Sequence, residues 1–385
     1  MIQTSERKME ELLKIKQVEG KKELKQFIRF PFELYKDNKY WVPPLIADEV
    51  KTLTKANPAL EFCELKMWLA YKNGKIAGRI AGIINHRANE TWNEKNVRFG
   101  WIDFIDDMQV SQTLLQTAVD WAKTKGMTHI CGPLGFTDMD YEGALVEGFD
   151  QTSTMVTIYN YPYYIKHFEA FGFEKAADWV EYKIYIPNEI PEKHKRITQI
   201  VSEKFGLKIK KYKSAKKLVA DYGQAIFELI NEAYAPLYGY VPLNQKQIDY
   251  YIKSYLPMLN LKMITLVTDK DEKLISVAIS IPSMAHALKK SQGQLFPFGW
   301  YHLLRALRCK NTKVLDLLII AIKPEYQNKG VNALVFSDLI PTYQKLGFEY
   351  AESNPELEVN SKVQSQWEYF ETQQHKRRRA FTKQI

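Results

Sequence analysis

The sequence predicts an α/β (α+β) fold built twice over, each copy a mixed, twisted sheet flanked by helices. Length is the first reason, since 385 residues exceed the ~100–200 that one domain usually holds. The second is a repeated order: hairpin, strand, helix, strand, helix, strand runs over residues 66–186 and again from residue 262 to the terminal "RRRAF". The third is the stretch 315–322, apolar enough for a strand buried on both faces. A polar turn follows it, and then apolar residues at helical spacing.

The elements follow in order. "LLKIKQV" reads as a strand, "KKELKQFIRFPFELYK" as a helix and "YWVPPL" as a turn. "KMWLAYKNGKIAGRIAGIIN" is a hairpin around Asn73-Gly74, the dipeptide that accepts positive φ at both turn positions. "VRFGWIDFI" and "THICGP" are strands around the helix "SQTLLQTAVDWAKTKG", which Gly126 closes. "YYIKHFEAFGF" is helical and "WVEYKIYI" ends the first half, placing the domains at 1–187 and 188–385 with a helical linker near residues 189–205. In the second half "LVADYGQAIFELINEAY" is a helix and "KMITLVTDKDEKLISVAISIP" a hairpin. "KVLDLLIIAI" then leads to the turn, a helix to Gly347, the strand "FEYAES", a helix through "KVQSQWEYF" and a last strand.

Composition narrows the function classes. A net charge of +9 suits a polyanionic cofactor or an acidic surface. Cys63, Cys131 and Cys309 are odd in number and far apart, which argues against a disulfide framework and for a cytoplasmic protein. No segment approaches the ~20 apolar residues that cross a bilayer, so membrane contact is expected to be peripheral at most. The seven histidines lack metal-ligand spacing, and no dedicated metal site is expected. GxSxG, GxxxxGK[ST] and GxGxxG are missing, which removes the usual support for serine hydrolase, P-loop and dinucleotide readings. No nucleic-acid reader is visible.

What remains is the turn at residues 323–332. A helix N-terminus leaves backbone N–H groups unpaired and carries partial positive charge, and Gly330 lets the chain come close to a ligand. An anion fits there. The first half differs at its own strand-to-helix turn, "WIDFIDDMQVSQTLLQ". It has no glycine after the strand and sets Asp106 and Asp107 where carboxylates can cap the N–H groups themselves. One anion site is therefore expected, in the second half.

Gln327, Gly330 and Asn332 resemble the pyrophosphate signature of the GNAT (GCN5-related N-acetyltransferase) superfamily. That signature is Gln or Arg, two residues, Gly, one residue, then Gly or Ala, and Asn332 departs from it. "FIRFPFELYKDNKYWVPPL", "GPLGFTDMDYEGALVEGFD", "YNYPYY", "GQLFPFGW" and "RRRAF" resemble a bacterial group of two-domain GNAT-like proteins related to ceramide synthase-like acyltransferases. The resemblance implies a tandem acyl-CoA N-acyltransferase fold, acetyl-CoA or acyl-CoA as donor, acyl carrier protein as a second donor, and a small-molecule or lipid amine as acceptor. It also implies that backbone at Ile320, Ala321 and Ile322 holds the pantetheine arm. Gln327, Asn328, Lys329, Gly330, Val331 and Asn332 would meet the pyrophosphate, with Asn360 completing the cofactor set. The alternative is a non-catalytic acyl-CoA-binding protein that keeps the fold.

Three residues are catalytic candidates. Glu352 and Asp316 lie on strands beside the implied acyl site, where desolvation raises a carboxyl pKa toward that of a useful base. The plain alternatives are a solvated carboxylate for Glu352 and a salt-bridge partner for Asp316. The family's usual acid is a tyrosine whose place falls near Trp367, and Tyr369 is the closest tyrosine. Its plain alternative is core packing with the hydroxyl at the surface. The glycine-rich loop with Asp138, Asp140, Glu142, Glu147 and Asp150 either lines an amine pocket or elaborates the first domain. The basic runs "KIKKYKSAKK" and "HKRRRAF" are expected as solvated surface, with cofactor phosphates or an anionic membrane as the alternatives.

Overall fold

A computed structural model describes residues 13–190, 192–256, 259–310 and 312–385. The first half contributes β1 (Leu13–Gln17), β2 (Cys63–Lys72), β3 (Lys75–Asn85), β4 (Asn96–Phe104), β5 (His129–Gly132), β6 (Ala144–Glu147) and β7 (Glu174–Tyr185). The second contributes β8 (Lys208–Lys210), β9 (Ile264–Thr268), β10 (Leu274–Pro282), β11 (Val314–Ile322), β12 (Tyr350–Glu352), β13 (Glu356–Leu357) and β14 (Thr372–Gln384). The β2–β3 turn has φ of 51° at Asn73 and 77° at Gly74, as the dipeptide requires.

All of these strands join one sheet, in the order β1-β2-β3-β4-β5-β14-β7-β12-β11-β10-β9-β8, with β6 on β14 and β13 on β7. The two halves exchange their last strands. β7 ends the first half in sequence but pairs antiparallel with β12, and β14 ends the chain but pairs antiparallel with β5. Side chains alternate across the sheet, so the two faces bury different sets. Ile80 and Ile84 meet the helix Met108–Thr124, while Ala81 and Ile83 meet Phe27 and Ile28 of the helix Lys21–Leu34. In the second half Leu315 and Ala351 pack with Val331, Leu334 and Val335 of the helix Val331–Leu346. Val277 and Ile279 pack under the helix Ala215–Tyr234.

Two expectations need correction. "HKRRRAF" is not solvated surface. It lies in β14 at the centre of the sheet, with Lys376 and Arg378 fully buried. The expected helix over residues 362–370 is one turn of α-helix, Ser361–Gln364, followed by a 3-10 turn, Ser365–Trp367. Gln366 and Trp367 are both buried, and the 3-10 turn holds them there.

In each half two parallel strands pair briefly and then part: β4 with β5 at residues 96–98, and β11 with β12 at residues 314–316. The first parting is closed by backbone. Leu134 N donates to Phe99 O at 2.8 Å, and a Cβ would lie 2.4 Å from Leu134 O on Gly100 and 2.2 Å from Phe99 O on Gly132. In the second half the crossing bond comes from a side chain, Asn354 Nδ2 to Leu318 O at 2.6 Å.

Candidate active site

Where β11 and β12 part, Asp316 stands in register with Glu352. Leu315 and Ala351 on either side of this pair point to the helix Val331–Leu346, so alternation sends both carboxylates to the opposite face. There they meet β7 and β14. Lys376 Nζ lies 2.8 Å from Glu352 Oε2 and 3.0 Å from Glu181 Oε2, and Arg378 Nε donates to Glu181 Oε1 at 2.5 Å. Arg377 and Arg379 point the other way. They bind Glu358 at 2.8 Å and Asp178 at 2.7 Å.

Burial and charge treat the three acids differently. Burial first, and then the Glu352 carboxylate, push Asp316 up to about 8. Neither Asp316 oxygen meets a hydrogen-bond partner in good geometry, and neighbouring Ser283 offsets its burial only in small part. Burial also acts on Glu181, but Arg378 and Lys376 overcome it and hold that carboxyl near 2. At neutral pH a protonated Asp316, two carboxylates and two cations sum to zero, the state a buried cluster favours.

His375 completes the cluster, its Nε2 3.8 Å from Glu352 Oε2. Burial first, and then Lys376, push its imidazole down to about 3, and neither ring nitrogen has a partner. Glu181, Glu352 and His375 are close enough to share a metal ion. The Lys376 ammonium already lies between the two carboxylates, so the cation's place in this set is taken by the chain.

Past Asp316, the β11 carbonyls are met by side chains of neighbouring elements. The Ile320 carbonyl accepts from Tyr234 Oη at 3.0 Å and the Ala321 carbonyl from Ser276 Oγ at 2.9 Å. Gln327 Nε2 reaches back to the Ile322 carbonyl at 3.2 Å. Asn328 and Gly330 have φ of 60° and 81°. The helix then starts at Val331, where Asn332 lies in the first turn, with no side-chain cap on its N–H groups. Beside this turn is a pocket of about 370 Å³ lined by Ile200, Val201, Lys204, Phe205, Asn328 and Lys329. Uncapped N–H groups, a left-handed glycine and two lysines with no acid in the lining fit the diphosphate of an acyl-CoA. The helix Glu192–Phe205 presses on the same glycine, since a Cβ there would sit 2.7 Å from Ile197 Cγ2.

Other expected residues lie apart from this turn. Tyr369 is exposed and its hydroxyl meets Lys193 Nζ at 2.5 Å. The Asn360 carbonyl accepts from Val363 N at 3.1 Å, and no hydrogen bond joins Asn360 to residues 327–332 among the described residues. Trp367, at the family's tyrosine place, donates from Nε1 to Glu356 at 2.9 Å. Burial pushes Glu356 up to about 8.

Sequence reasoning missed Glu356, Glu181, Lys376 and His375. The signal for Glu181 was a lone acid inside an apolar strand, the pattern that marked Asp316. For Lys376 and Arg378 it was alternation within the basic run.

The acidic loop is tied down by its own carboxylates. Asp138 Oδ2 accepts from Val241 N at 3.3 Å and Asp140 Oδ2 from Thr137 N at 3.0 Å. Burial pushes both up to about 6. In the first half Asp107 caps its helix, accepting from Val110 N at 3.2 Å, and Asp106 meets His167 Nε2 at 3.0 Å. The cavity behind that half's parting strands, lined among others by Glu49, Trp101 and Asp103, is about 60 Å³, room for about two waters.

Comparison with known proteins agrees with this architecture. No family model matches the chain. Protein YghO of Escherichia coli (strain K12) is 27% identical over 372 residues, covering 95% of this chain and 94% of that protein. The bacterial ceramide synthase of Caulobacter vibrioides is 28% identical over 309 residues, 79% of each. Among solved structures, a tandem GNAT protein from the clavulanic acid biosynthesis pathway superposes with a TM-score of 0.57 at 10% identity, covering 97% of this chain and 98% of that one. A probable N-acyltransferase from Enterococcus faecalis gives 0.50 at 10% identity over 97% and 73%. The chain has the tandem GNAT fold.

Proposed function

We propose that the chain is an acyl-CoA-dependent N-acyltransferase whose acceptor is a primary amine on a long-chain lipid. The observation that carries this reading is the pair Asp316 and Glu352, buried where β11 and β12 part, on the strand that leads to the turn at residues 327–332. The likeness to a ceramide synthase, spread over most of both chains, supports the lipid amine.

Bound acyl-CoA supplies an activated thioester carbonyl. The chain's own residues must hold the amine and take its proton. Asp316, pushed up to about 8, is matched to a general base working slightly above neutral pH. Lys376 and Arg378 together offset Glu352 and Glu181, which leaves Asp316 to take the proton that the ammonium gives up. Tyr234 Oη sits on the Ile320 carbonyl of β11, and burial pushes it up to about 12. It keeps its proton at neutral pH and can return one to the leaving thiolate, a part the exposed Tyr369 is badly placed to play. Lys204 and Lys329 would hold the diphosphate.

The deciding experiment is thiol release from acyl-CoA in the presence of sphingoid and simple alkyl amines, with products identified by mass spectrometry. Amine-dependent release giving an N-acylated lipid is expected. One set of contacts favours the second reading, a binding protein without turnover: the Leu318, Ile320 and Ala321 carbonyls are already bonded within the chain. Acyl-CoA binding with no release across the amine panel would establish that reading instead.

A further inference from the structure

Between β10 and β11 the chain forms two short helices, Ala285–Ser291 and Gly299–Leu307. Leu303 and Ala306 of the second are buried against Ile281, Met284 and Leu288. Its other face, and the linker before it, show large apolar side chains to solvent. Phe296 is 78% exposed, Phe298 71%, Trp300 47%, Tyr301 46% and Leu304 37%. Elsewhere among the described residues such exposed side chains come singly or in pairs within a comparable length. Leaving two phenylalanines this bare costs solvation with no return inside the chain.

The charge along this segment of the chain is one-sided. No Asp or Glu occurs between Glu272 and Asp316, while Lys289, Lys290, Arg305, Arg308, Lys310 and Lys313 do. Lys290, Arg308 and Lys310 are exposed. A second copy of this face would set those cations against one another. An anionic lipid surface complements them, takes Phe side chains below its headgroups, and holds Trp and Tyr at headgroup level.

We propose that residues 285–310 dock the protein on an anionic bilayer, with Phe296 and Phe298 inserted and Lys290, Arg308 and Lys310 on lipid phosphates. The apolar cluster beneath this surface reaches Leu318 on β11, two residues from Asp316. A lipid amine leaving the bilayer would have a short apolar path to the carboxylates. The docking itself does not depend on acyl transfer and is read without turnover.

The test is co-sedimentation of the full chain with vesicles of phosphatidylcholine alone or mixed equally with phosphatidylglycerol. Wild type should pellet with the mixed vesicles only. The variant Phe296→Ser/Phe298→Ser should stay in the supernatant with an unchanged melting curve. Lys290→Gln/Arg308→Gln/Lys310→Gln should bind on the order of a hundredfold more weakly, the sum for three basic residues near a charged surface. Wild type failing to pellet, or both variants pelleting like wild type, would overturn the proposal. So would a wild-type dimer that the Phe variant converts to monomer without any vesicle binding. Capture of purified acyl carrier protein through the same phenylalanines, again without vesicle binding, would also overturn it.

Discussion

Asp316 and Glu352 face one another in register, yet only Glu352 has a cation at 2.8 Å. That difference sets their chemistry. If Asp316 is the base, Asp316→Asn should lower kcat by about 10²–10⁴-fold with little change in acyl-CoA affinity. The wild-type rate should climb with pH and level off above about 8; a flat profile from pH 6 to 9 would remove Asp316 from the chemistry. The same group makes a stability prediction. Its folded pKa lies above its unfolded one, so the folded state holds an extra proton between the usual carboxylate range and about 8. Its effect therefore favours the fold at low pH and fades as pH rises to about 8. Urea midpoints should show Asp316→Asn gaining on wild type at pH 9 relative to pH 6. Lys376→Met leaves two buried acids without their shared partner and should cost about 3–5 kcal/mol of stability, checked by the same denaturation.

At the scale of elements, the turn before the helix Val331–Leu346 owes its shape to Gly330. Gly330→Glu should weaken acyl-CoA binding, but it also places a Cβ against Ile197 and strains a left-handed backbone, so its effect will mix folding with binding. Lys204→Glu/Lys329→Glu is cleaner, because both lysines line the pocket and are exposed. Calorimetry should find acyl-CoA affinity reduced about tenfold or more at an unchanged melting temperature. Unaltered affinity would place the diphosphate elsewhere.

For the whole molecule, the exchange of β7 and β14 ties each half's sheet to the other. Residues 1–187 alone would expose the β5 edge and both edges of β7, and residues 188–385 alone would lose the strand between β12 and β14. Neither piece should fold when expressed by itself, while co-expression should restore a soluble pair; a cooperative melt from either piece alone would contradict this. One acyl-CoA per chain is expected. The first half's parting strands are sealed by the close approach at Gly100 and Gly132, and its helix N-terminus is capped by Asp107.

The sequence by itself determined the repeated element order, the Asn73-Gly74 hairpin, the strand-to-helix turn at Gly330 and the capping role of Asp107. Each is a local matter of periodicity, turn chemistry or unpaired N–H groups within a few residues. It also drew attention to Asp316, because an acid inside an apolar strand needs an explanation wherever the strand lies. Only the tertiary structure decided that Asp316 and Glu352 are opposite one another, that Lys376 and Glu181 join them, and that Tyr369 faces solvent. Those facts depend on which strand lies beside which, and β14 reaches its place between β5 and β7 by pairing with residues far earlier in the chain, Thr372 with Ile184 and Gln384 with His129. The run "HKRRRAF" shows the limit most plainly. Four basic residues in a row describe a wet surface until partners from distant strands, Glu181 and Glu352 on one face and Asp178 and Glu358 on the other, make their burial affordable.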